Sequence, residues 1–169
     1  MRYVKLGGGK PFFISLLANA ILCLNHCFAY IFWMRLAGSN TPFKYIAKIM
    51  RTRLSRKYGI QISSKTKIGE GFYIGHGIGI VVNSGTIIGK HFSISQNVTI
   101  GTSKNTPAII GDNVYIGPNV CIVEDVKIGN NVVIGAGAVV VKDIPDNSTA
   151  VGNPARIINR NESSYSRKL

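Results

Sequence analysis

Carboxylates are scarce in this chain of 169 residues: Asp and Glu number seven against twenty Lys and Arg, and none precedes Glu70. From Met1 to Gly69 twelve basic residues stand unopposed, whereas from Glu70 onward eight face seven acidic ones, so the net charge of +13 belongs to the N-terminal segment. Cysteine is equally sparse. Cys23, Cys27 and Cys121 are odd in number and lack metal-ligand spacing, which excludes a disulfide framework and argues against a bound metal; reduced thiols in a cytoplasmic protein are expected. Cys23, His26 and Cys27 within one apolar run read as helix packing rather than as ligands. No small-residue cleavage site follows the apolar run, which argues against a secretory signal peptide, and no nucleic-acid-binding module accompanies the basic residues.

What is abundant is a spacing. Aliphatic residues recur every sixth position at Ile68 and Ile74, at Val82, Ile88, Ile94 and Ile100, and at Ile110, Ile116, Ile122, Ile128, Ile134 and Val140. Six is neither the 3.6 of a helix nor the 2 of a half-buried strand, so the chain predicts a short-period solenoid. Four places after most of these comes a second apolar residue, among them Phe72, Ile78, Phe92, Val98, Val114 and Val120. Three places after comes Gly, Asn, Asp or His, as at Gly71, Gly77, Gly85, His91, Asn97, Asn113, Asn119, Asp125, Asn131, Gly137 and Asp143. These residue types tolerate positive φ best, so each hexad is expected to be a short strand and a tight left-handed corner. Three hexads close one triangular coil, and the twelve predict an all-β parallel β-helix of about four coils. The expected organisation is a basic, partly apolar helical extension over 1–60, a β-helix domain over 61–158 and a polar tail over 159–169.

The phase slips twice. Two extra residues fall between Ile74 and Val82, and four between Ile100 and Ile110, the latter making a loop from Thr102 to Ala108. Interruptions of a rigid solenoid are where such scaffolds carry function. The first slip holds His76, one of three histidines. His91 occupies a corner position, and His26 belongs to the N-terminal helix. His76 is expected to point outward between Gly75 and Gly77, which leave room for a ligand. A neutral imidazole that titrates near the working pH is a natural general base for activating a hydroxyl. A solenoid carbonic anhydrase would need three histidines converging on one metal, and an ice-binding solenoid ranks of outward threonines; neither is present.

The hexads from Ile62 to Ile158, with the closing Val151-Gly152-Asn153-Pro154-Ala155-Arg156, resemble the hexapeptide-repeat acyltransferases, whose coils wind left-handed against the usual crossover rule. Ile74-Gly75-His76-Gly77-Ile78-Gly79-Ile80-Val81 is similar to the catalytic segment of serine acetyltransferases and related sugar O-acetyltransferases. The resemblance implies an enzyme that uses acetyl-CoA as acyl donor, with His76 as catalytic base, in a homotrimer whose clefts are shared between neighbouring chains. Gly75, Gly77, Thr102 and Thr106 would line the acceptor site. Gly117, Gly135 and Ala136 would flank a groove for the pantetheine arm, with Lys142 and Arg156 toward the CoA phosphates. Serine acetyltransferases carry an aspartate where this chain has Gly75, and a second active-site histidine where it has Asn105-Thr106-Pro107. On those two departures the expected acceptor is a sugar hydroxyl, in polysaccharide biosynthesis. Serine O-acetyltransferase and a non-catalytic membrane-docking scaffold are the alternatives.

The apolar run from Phe12 to Met34 is interrupted by Ser15, Asn19, Asn25 and His26. Ser15, Asn19, His26 and Tyr30 fall near one helical face at spacings of four, seven and four, which suits packing within an oligomer or lying in the plane of a membrane better than spanning it. Lys44, Lys48, Arg51, Arg53, Arg56 and Lys57 read as a basic helix suited to anionic lipid at the inner face of the cytoplasmic membrane.

Overall fold

The computed structural model describes residues 18, 19, 22, 24–102, 106–123 and 125–159. The start of the apolar run, Cys23, the centre of the second loop and the tail from 160 lie outside them. Two helices come first, α1 (His26–Ala37) and α2 (Lys44–Tyr58). Short strands follow: β1 (Gln61–Ile62), β2 (Lys67–Ile68), β3 (Tyr73–Ile74), β4 (Val81–Val82), β5 (Ile87–Ile88), β6 (Ser93–Ile94), β7 (Thr99–Gly101) and β8 (Ile109–Ile110). The series continues with β9 (Tyr115–Ile116), β10 (Cys121–Val123), β11 (Lys127–Ile128), β12 (Val133–Ile134), β13 (Val139–Val140), β14 (Thr149–Val151) and β15 (Arg156–Asn159).

Every third strand pairs in parallel. The first sheet is β1-β4-β7-β10-β13, the second β2-β5-β8-β11 and the third β3-β6-β9-β12-β14, to which β15 adds antiparallel beside β14. This is the parallel β-helix of about four coils that the hexads predict, and all twelve hexad aliphatics are buried. β15 extends to Asn159, so the paired structure reaches one residue into the expected tail.

Two details of the hexad reading need correction. Ile78 is exposed, and Ile80 fills the core position in its place, because the two extra residues shift the inward register. Left-handed corners occupy two of the three prism edges, not all three. Gly71, His91, Asn113, Asn131 and Asn147 serve the edge between the second and third sheets; Gly79, Asn97, Asn119 and Gly137 serve the edge between the third and first. Gly77, Gly85, Asp125 and Asp143 lie outside the positive-φ set. At the remaining edge the chain turns differently: Thr86 N–H donates to the Asn83 carbonyl and Gly85 N–H to the Asn83 side chain, a turn that needs no positive φ.

α1 caps the first coil. The Asn25 side chain accepts from Phe28 N–H and starts the helix. Tyr30, fully buried, sets its hydroxyl 2.9 Å from the Ile62 carbonyl and 3.2 Å from that of Ile60, and accepts from Ile62 N–H. Burial pushes its phenol pKa up. Arg35 donates to the carbonyls of Ile68 and Gly69. Peptide groups that open the first coil, and would otherwise face an apolar helix unpaired, are satisfied in this way. α2 packs against α1 through Ala47 and Leu54 and ends at Gly59 in the left-handed conformation. No helix among the described residues is long and apolar enough to cross a membrane.

Candidate functional site

The edge between the third and first sheets carries most of the expected site. Its corners stack in register: 75–80, then 95–98, then 117–120, then 135–138. Gly75, Ser95, Gly117 and Gly135 each donate an N–H to a carbonyl of the next coil, at 2.8–3.1 Å. His76 stands exposed at the first corner, and Gly117, Gly135 and Ala136 lie farther along the same edge. Arg156, on β15 opposite Val151, sits exposed at its C-terminal end. Thr102, Thr106 and Lys142 lie on a different edge, between the first and second sheets, so one protomer does not bring them to His76.

The glycines of the edge differ in their reasons. A Cβ on Gly117 would come within 2.8 Å of Ala136 N and 3.0 Å of Ile134 O, backbone atoms that cannot move aside, so close stacking of the coils by itself requires a glycine there. Gly135 would meet the Val151 side chain. Gly75 meets nothing closer than 3.7 Å, and its missing side chain leaves open space beside His76. Gly77 is buried against α1, where a Cβ would lie 3.0 Å from both Cys27 Sγ and Ile60 Cδ1.

That last contact is one the sequence does not disclose. Gly77 N–H donates to Cys27 Sγ at 3.2 Å, and the same thiol lies 3.9 Å from the Gly75 carbonyl and 3.5 Å from His26 Nε2. The His26 ring stacks on Tyr58 with centroids 4.3 Å apart. Burial raises the Cys27 pKa, so the thiol keeps its proton near neutrality. Cys27 is a free thiol, and no cluster able to hold a metal occurs among the described residues.

Beside Thr102 the molecule holds a polar pocket of about 450 Å³, lined by Arg51, Ser55, Gln61, Ser63 and Asn83 among others. Arg51 donates through Nη1 to the Ile62 carbonyl, which fixes its guanidinium at the pocket wall.

Residues 107–142 match the model of the bacterial transferase hexapeptide family (six repeats). The chain is 37% identical over 146 residues to chloroplastic serine acetyltransferase 1 of Arabidopsis thaliana, covering 84% of this chain and 45% of that protein. It belongs to the hexapeptide-repeat acyltransferase family. Among solved members, a serine acetyltransferase in complex with CoA superposes with a TM-score of 0.71 at 29% identity, over 83% of this chain and 60% of that one. The Neisseria gonorrhoeae serine acetyltransferase in complex with serine also gives 0.71, at 30% identity, over 92% and 63%. This hexapeptide-repeat chain thus spans less than half the length of the Arabidopsis relative.

These relatives overturn the expected sugar acceptor and its placement in polysaccharide biosynthesis. The expectation rested on two local departures, Gly75 and Asn105-Thr106, whereas similarity to serine acetyltransferases runs along most of the chain.

Proposed function

We propose that this chain is a serine O-acetyltransferase that takes its acetyl group from acetyl-CoA. The observation that carries the reading is an exposed His76 on the edge that stacks Gly117 and Gly135, within a chain similar to serine acetyltransferases over 84% of its length. His76 accepts the proton of the serine hydroxyl as the oxygen attacks the thioester carbonyl carbon. The tetrahedral intermediate collapses with cleavage of the C–S bond, and the imidazolium returns its proton to the departing CoA thiolate. Gly117, Gly135 and Ala136 flank the pantetheine arm, and Arg156 meets CoA phosphate at the end of the edge.

The working unit is a homotrimer, in which His76 of one protomer faces the Thr102–Ala108 loop and the adjoining polar pocket of the next. The pocket supports an amino-acid acceptor, since Arg51 supplies the cation that a carboxylate needs. The test is release of free CoA thiol across an acceptor panel. Serine should support turnover well above hydrolysis, and rates with serine equal to those without acceptor would refute the assignment.

We also propose that α2 docks in the plane of an anionic membrane at the cytoplasmic face. Support comes from its outward Tyr45, Ile46 and Ile49, each more than half exposed, with Lys44 and Lys48 alongside. In flotation assays the chain should bind phosphatidylglycerol-containing vesicles and not pure phosphatidylcholine. Binding should be lost in the double variant Ile46→Glu, Ile49→Glu; retained binding would count against this element.

A further inference from the structure

We propose that Cys27 is a positioning residue for His76, its thiol holding the peptide groups on either side of the histidine. The inference rests on the assignment of His76 as the base, and it begins from a shortage of ladder partners. Between β3 and β4 the chain spends six residues on a corner that the next coil makes in four, so part of the segment leaves the coil-to-coil ladder. Gly75 N–H still reaches Ile94 O, Ile78 N–H turns back on His76 O at 3.0 Å, and Gly79 N–H finds Tyr58 O. The Gly77 N–H, buried beneath His76, is met instead by Cys27 Sγ at 3.2 Å.

A buried N–H without an acceptor is costly, so this bond fixes where the peptide following His76 can lie. The Gly75 carbonyl, preceding His76, lies 3.9 Å from the same sulfur, which keeps its proton because burial raises the thiol pKa. One side chain therefore accepts after the histidine and offers its S–H before it. The seat is rigid in turn: α1 is tied to the first coil through Tyr30 and Arg35, and His26, stacked on Tyr58, backs the sulfur at 3.5 Å. A Cβ on Gly77 would press at 3.0 Å on both this sulfur and Ile60 Cδ1, because the segment rests directly on them. An imidazole held this way keeps its aim on the acceptor hydroxyl, and small misplacements of a reacting group cost rate rather than substrate affinity.

The experiment is steady-state kinetics of CoA release on the full chain and its Cys27→Ala, Cys27→Val, Cys27→Ser and His76→Ala variants. Cys27→Ala and Cys27→Val should lower kcat by about tenfold with KM for acetyl-CoA unchanged. Cys27→Ser, which restores a donor and an acceptor, should recover most of the loss. Native kcat in Cys27→Ala alongside an inactive His76→Ala would overturn the positioning role and leave the base assignment standing. Native turnover in His76→Ala would remove both. Should Cys27→Ala not fold, the comparison of valine with serine decides: equal kcat in the two would refute the proposal, and a loss confined to valine would support it.

Discussion

Replacing His76 by alanine is expected to lower kcat/KM for acetyl transfer by about 10²–10⁴-fold, the usual contribution of a positioned general base. A serine hydroxyl is too weakly acidic to attack a thioester near neutrality unless its proton is taken in the transition state. Of the other two imidazoles, His91 is committed to a left-handed corner on another edge, and His26 lies beneath the His76 segment, against Cys27 and stacked on Tyr58. Because His76 is exposed and its removal opens no core cavity, thermal melting should match the parent chain. Steady-state kinetics paired with melting curves check both halves, and a folded variant with near-native turnover would remove His76 from the mechanism.

Truncating Ile116 to alanine is expected to destabilise the fold by about 2–5 kcal/mol. Ile116 is fully buried at the middle of the third sheet, with Ile94 one coil below and Ile134 one coil above. In a stacked solenoid each inward side chain packs mainly on its own coil and the two adjacent ones, so the void cannot be filled from a distance. Neighbouring backbones are fixed by ladder bonds such as Ser95 N–H to Ile116 O, which limits collapse around the cavity. Urea titration measures the change, and a loss below about 1 kcal/mol would mean the coils relax more than close packing permits.

The inward stack was legible because one residue type recurs at a fixed interval, and burial of a side chain every sixth residue has few other geometric solutions. The corners were legible only in part. Asn113 and Asn131 announce positive φ, but the turn at Asn83 uses side-chain and main-chain bonds that composition alone does not distinguish from it. The two-residue insertion defeated counting locally, so Ile78 and Gly77 were given the roles that Ile80 and Gly79 fill.

At the site, His76 could be singled out because histidine is rare in the chain and its neighbours are glycines. Cys27 could not, since it meets Gly77 across fifty residues of sequence and sits in a run that reads as ordinary helix packing. The acceptor is not legible locally: the residue before His76 and the loop at Asn105-Thr106 depart from the serine acetyltransferase pattern, whereas the similarity to those enzymes lies in the chain as a whole.

The most direct test of the account is to incubate the purified chain with serine and isotope-labelled acetyl-CoA and to identify the product by mass spectrometry. The expected result is label on the serine oxygen in an amount matching the thiol released, abolished in His76→Ala. Label recovered only as free acetate, or on a saccharide hydroxyl while serine stays unmodified, would contradict it.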